Sequence, residues 1–101
     1  MLINREKNKE SRGKKESGES KETRVALISI IVEEQEAAAG INELLHEYRQ
    51  YVIGRMGIPY PAKNISIISV AVDAPQDAVS ALSGRLGALD GVSTKTVYSK
   101  L

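Results

Sequence analysis

From residue 24 onward the chain alternates short apolar runs with longer amphipathic ones, and this pattern predicts its elements. Residues 24–32 form an apolar run rich in β-branched side chains, short enough for a strand. Its two faces, Ala26, Ile28, Ile30, Val32 and Val25, Leu27, Ser29, Ile31, are both apolar, as in a strand covered on both sides. Residues 36–50 then follow helical spacing, with Ala37, Ile41, Leu44, Leu45 and Tyr48 as the buried stripe and Gly40 as a close packing contact. Residues 51–58 read as a second strand, with Val52, Gly54, Met56 and Ile58 on one face and Tyr51, Ile53, Arg55 and Gly57 on the other. Pro59-Tyr60-Pro61 should break it. Residues 65–72 make a third strand, apolar on both faces, with Ile68, Val70 and Val72 opposite Ile65, Ile67 and Ala71.

The stretch from Asp73 to Val92 reads as a helix marked at both ends. Pro75 suits its first position, Asp73 suits the cap, and Asp90-Gly91 closes it. Val79, Leu82, Leu86 and Leu89 give the buried face. Gly84 and Gly87 lie inside it, each costing about 1 kcal/mol relative to Ala, so a close neighbour is expected there. Residues 92–99 complete the pattern as a last strand, Val92, Thr94, Thr96 and Tyr98 facing away from Ser93, Lys95, Val97 and Ser99.

Strand, helix, strand, strand, helix, strand is the split βαβ order, an α+β ferredoxin-like fold with an antiparallel four-stranded sheet and two helices on one face. The first and third strands, apolar on both faces, belong in the centre; the second and fourth, with Arg55 and Lys95, belong at the edges. Two helices cover one face of such a sheet. The other face needs a second subunit, which predicts a homo-dimer or homo-tetramer.

Residues 1–23 lack apolar periodicity after Met1-Leu2-Ile3 and should form a disordered charged tail, leaving residues 24–101 as the domain. Residues 1–24 carry eight Lys/Arg against five Glu, a net +3, while residues 25–101 carry six Lys/Arg against eight Asp/Glu, a net −2. A mildly acidic domain is a poor nucleic-acid binder; only the basic tail leaves room for a nucleic-acid-associated transcriptional regulator. Cysteine is absent, which excludes disulfides and thiol chemistry. With no signal-peptide pattern and no membrane-length apolar run, the expected location is the cytoplasm, away from membranes.

Candidate chemistry is sparse, so no catalytic residue, metal or cofactor is expected and the chain reads as a non-enzyme. Glu33, Glu34 and Glu36 suit the positive end of the first helix better than a hard-cation site. His46 is the single histidine, too few for a transition-metal site within one chain. Gly84-Arg85-Leu86-Gly87 matches the GXXG pattern of nucleic-acid-clamping KH domains, but it lies within an amphipathic helix whose buried face includes Leu86. Ser83 has no demonstrable histidine and acid partners. Arg55 either binds an anion or guards a sheet edge.

Asn42-Glu-Leu-Leu-His46, Arg55-Met-Gly-Ile-Pro59, Ala81-Leu-Ser-Gly-Arg-Leu-Gly87, Gly91-Val92 and Lys95-Thr-Val97, in this order and spacing, resemble the ACT-like iron-only hydrogenase system regulators over residues 24–100. The resemblance implies a ligand-sensing or assembly domain, similar in fold to the C-terminal domain of nickel-responsive repressors, that forms homo-oligomers through its sheets. Those repressors bind metal through strand histidines and a cysteine, which this sequence lacks, so nickel sensing does not carry over. Their DNA-binding domain has no counterpart either, residues 1–23 being too few and too polar. By resemblance, Asn42, Arg55, Gly57, Gly84 and Gly87 are the candidates for binding a small ligand, a protein partner or a second subunit.

Overall fold

The computed structural model describes residues 22–100. Its elements are β1 (Thr23–Val32), α1 (Ala37–Glu47), β2 (Val52–Tyr60), β3 (Ile65–Pro75), α2 (Gln76–Gly87) and β4 (Val92–Tyr98), with 3-10 turns at Arg49–Tyr51 and Pro61–Lys63 on either side of β2. The sheet order is β2-β3-β1-β4 and every pairing is antiparallel, the ferredoxin-like arrangement with β1 and β3 central. The expectation of a disordered tail over residues 1–23 lies outside the described residues except at its end, where Thr23 already pairs with Pro75 as the first residue of β1.

The alternation along β1 and β3 is realised as read. Ala26, Ile28, Ile30 and Val32 of β1 and Val70, Val72 and Ala74 of β3 are buried beneath the helices. From α1, Ala37, Ile41, Leu44 and Leu45 close onto them, and from α2, Val79, Leu82 and Leu86. Tyr48 and Leu89 pack at the margin of this core. Gly40 is a close packing contact: a Cβ there would stand 3.1 Å from a methyl of Leu89, just past the end of α2.

Several boundaries differ from the sequence pattern, each for a local reason. Helix α1 stops at Glu47 rather than continuing to residue 50, because the chain tightens into the 3-10 turn while Arg49 Nη1 donates to the His46 carbonyl at 2.8 Å, satisfying a terminal acceptor. Asp73 is no cap. It lies in β3 opposite Val25, because pairing with β1 carries β3 on to Pro75, and Pro75 is itself the N-cap of α2 without a side-chain capping bond. Helix α2 ends at Gly87, ahead of Leu89; Gly91 then adopts a φ of +77°, the left-handed turn foreseen for it. Here only glycine fits: a Cβ would overlap the Glu34 side chain and stand 3.1 Å from the Glu34 nitrogen, while the Gly91 carbonyl accepts from Glu33 N–H at 2.7 Å.

The largest correction concerns β2. The strand runs through Pro59 to Tyr60, which an edge strand tolerates because one row of its N–H groups has no ladder partner. Val52 pairs with Val72, but Gly54 already pairs with Ala71, so a bulge at Ile53 inverts the facing of everything after it. Met56 and Ile58 therefore do not share a face with Val52. They join the uncovered side, and Arg55 turns to the helix side opposite Val70.

Candidate functional site

The bulge gives Arg55 its position. With the register shifted, its side chain rises from the edge of the sheet toward α1, where Nη1 donates to Asn42 Oδ1 at 3.1 Å. Asn42 follows Ile41 in sequence, so it stands at the border where the buried stripe of α1 meets solvent. Between them lies a cleft of about 110 Å³ at the end of the sheet where β1 leads into α1. Val32, Ala38, Ile41 and Ile68 form its aliphatic walls; Gln35, Asn42, Arg55 and Ser66 supply its polar groups. The last of these has a signal in the sequence: on β3, Ser66 occupies the same alternating row as Ile68, Val70 and Val72, a hydroxyl in an apolar series. The Ile53 bulge has only Gly54 to announce it, which is why Arg55 reads from sequence as facing the opposite way from Val52.

The five candidates separate into two places. Asn42 and Arg55 meet, and Gly57 sits beside them opposite Ile68. A Cβ at Gly57 would lie 3.9 Å from Ile68 Cγ1, ordinary contact, so glycine is not required there for space. Gly84 and Gly87 lie away from this cleft, on α2. Nothing in the chain lies within 4 Å of a Cβ built at Gly84, whereas one at Gly87 would stand 3.1 Å from Thr94 Oγ1 on β4.

The arginines show how unusual Arg55 is among the described residues. Arg24 stacks over the Tyr98 ring at 4.8 Å and donates to the Ser99 carbonyl. Arg49 donates to the His46 carbonyl. Arg85 bonds Glu47 Oε2 at 2.8 Å and Tyr48 Oη at 3.3 Å, tying α2 to the end of α1, and these two hydrogen bonds hold its guanidinium even further above neutrality than usual. Arg55 alone combines a cleft with a neutral amide as its partner, and no carboxylate among the described residues pairs with it.

Other sequence candidates take ordinary places. Glu33, Glu34 and Glu36 are exposed in the β1–α1 loop, and the N-cap Glu36 makes no side-chain capping bond. No group of three or more His, Cys, Asp or Glu among the described residues could hold a metal ion. His46 is exposed on α1. Ser83 belongs to a hydroxyl chain that sequence reasoning missed: Thr96 Oγ1 donates to Ser83 Oγ at 3.0 Å, and Thr94 Oγ1 donates to the Ser83 carbonyl at 3.3 Å, locking α2 to β4. No helix among the described residues is long and apolar enough to cross a membrane.

A second surface stands out on the opposite side of the sheet. Val25 and Leu27 of β1, Met56, Ile58 and Tyr60 of β2, Ile67 of β3 and Val97 of β4 are the exposed large apolar side chains among the described residues. All seven lie on this uncovered face. The charged residues that its strands contribute are Asp73 and Lys95.

Comparison with known proteins agrees with the architecture. Residues 24–96 match a family model described as "TM1266-like: Iron-only hydrogenase system regulator, putative". Among solved structures, the uncharacterized protein TM1266 from Thermotoga maritima is 36% identical, with a TM-score of 0.75 over 78% of this chain and 100% of that one. No curated protein matches the chain.

Proposed function

We propose that this chain, which belongs to the TM1266-like family of iron-only hydrogenase system regulators, acts as a non-enzymatic regulatory domain in the cytoplasm. It assembles with copies of itself through the uncovered sheet face and reads a small ligand at the cleft between Asn42 and Arg55. One observation carries the reading: the exposed large apolar side chains are gathered on one face of the sheet instead of being scattered. Scattered apolar residues need no explanation, whereas a contiguous patch marks an interaction surface. The four strands present it on one side of the sheet, suited to an isologous pair in which the same patch meets its own copy. Such a contact would place two sheets about 10 Å apart, side chains interdigitating.

An assembly of this kind gives the cleft something to regulate. β3 runs through both surfaces: Ser66 and Ile68 line the cleft, while Ile67 between them points to the uncovered face. A ligand that shifts this end of β3 can shift the assembly, and by linkage the assembly alters ligand affinity equally.

The test is sedimentation velocity at micromolar concentration on the wild type and on Ile67→Lys. The wild type is expected to run as a dimer or tetramer. The lysine, placed in the middle of a desolvated contact, should release folded monomers with an unchanged circular dichroism spectrum. A wild type that sediments as a monomer overturns the assembly reading.

A further inference from the structure

Building on that reading of the cleft, we propose that its ligand is a small aliphatic monocarboxylate, an anion without an amino group. Three features of the lining select this class. The guanidinium of Arg55 is the charged group of the lining, and its one hydrogen-bond partner is the Asn42 carbonyl oxygen, which leaves the rest of its fork for a carboxylate. Ser66 and the Gln35 amide are further donors in the lining. No Asp or Glu lines the cleft, so a ligand ammonium would find only neutral acceptors, and Asn42 Oδ1 is already engaged. An α-amino acid therefore loses hydration at its ammonium without an ionic partner in return, next to a cation that repels it.

The walls settle the remainder of the ligand. Val32, Ala38, Ile41 and Ile68 offer hydrocarbon, and each methylene buried against them is worth about fourfold in affinity. Inorganic phosphate can meet Arg55 but has nothing to place there. The volume limits length: a cavity of about 150 Å³ holds benzene, so about 110 Å³ takes a tail of a few carbons. Butyrate is the matching probe.

The experiment is an amide NMR titration of the full-length chain with sodium butyrate, L-valine and inorganic phosphate, each to about 50 mM, enough to see a Kd near 10 mM. Butyrate should give saturable shifts at Ala38, Ile41, Asn42, Arg55 and Ser66, with valine and phosphate each at least tenfold weaker. Arg55→Gln should weaken butyrate at least tenfold. Ala38→Leu, which adds bulk to an apolar wall and keeps the cation, should do the same; amide spectra otherwise like the wild type certify both folds. Valine binding at the cleft as tightly as butyrate overturns the exclusion of an amino group, and with it the proposal, but leaves a ligand site. Silence from all three probes overturns both, and the assembly is judged separately by sedimentation. Butyrate binding that survives Arg55→Gln also overturns the proposal.

Discussion

Along β1, neighbouring residues meet opposite environments. Ile28 and Ile30 are fully enclosed beneath α1 and α2, whereas Leu27, between Ala26 and Ile28, keeps 42% of its surface exposed. Both faces of the strand have core composition, yet one is covered within the chain and the other is not. Composition reports how apolar a surface is; what covers it depends on the supply of helices. Here two helices serve one face of a four-stranded sheet, and the other face keeps its large apolar side chains exposed, the burial that the proposed self-association would supply.

The most direct way to break this comparison is a pair of adjacent truncations. Ile28→Ala removes hydrocarbon from a closed core and should cost about 2–5 kcal/mol, the range for such cavities. Leu27→Ala removes as much from the open face and should cost a dilute monomer under about 1 kcal/mol, since much of that side chain already meets water. The order reverses in sedimentation, where Leu27→Ala should weaken self-association. Urea melts at low concentration read the first difference. Equal destabilisation by both variants, with no change in association, would dissolve the distinction between the faces.

The covered side also depends on a tight joint at its end. Gly91 holds a left-handed φ directly against Glu34, joining the approach to β4 to the β1–α1 loop. Gly91→Ala brings backbone strain and a collision with the Glu34 side chain together, and a loss of about 2–4 kcal/mol is expected in thermal melts. Because the joint lies away from the uncovered face, the association constant of the folded protein should stay within about threefold of the wild type, a shift under about 1 kcal/mol. A lost oligomer with unchanged melting would mean that this turn belongs to the interface and not to the core.

How legible these features were in the sequence follows the range of the interactions that create them. The periodicity of β1, β3 and the two helices is a local record of burial, so the core rows, the strand order and the turn at Gly91 could all be read from it. Asp73 misleads because capping and strand pairing compete for the same residues, and pairing with β1 extends β3 to Pro75. Arg55 misleads more, because a single bulge inverts the parity of β2, and a lone Gly54 is too slight a mark to place it. Asn42 and Arg55 meet only after that inversion. The hydroxyl chain from Ser83 to Thr94 and Thr96 depends on how α2 lies over β4, which no local pattern encodes.

The smallest effects should come from the glycines of α2, which sharpen the comparison by showing how closely the covered face is packed. Gly84 is exposed, and a methyl there meets nothing within 4 Å in the chain, so Gly84→Ala should gain up to about 1 kcal/mol of helix propensity. Gly87 is the last residue of α2, where the propensity gain is reduced, and its methyl would stand 3.1 Å from Thr94 Oγ1. That hydroxyl is held by the Ser83 carbonyl and cannot retreat without giving up the bond. Gly87→Ala should therefore lose about 1 kcal/mol, at the low end of overpacking costs. Adding Thr94→Ser to Gly87→Ala tests the cause: a smaller, more mobile hydroxyl should recover most of the loss. If Gly87→Ala melts above the wild type, the contact between α2 and β4 has slack. If Gly84→Ala melts higher yet assembles poorly, a second copy reaches α2 as well, and the covered side of the sheet is not reserved for the chain's own core.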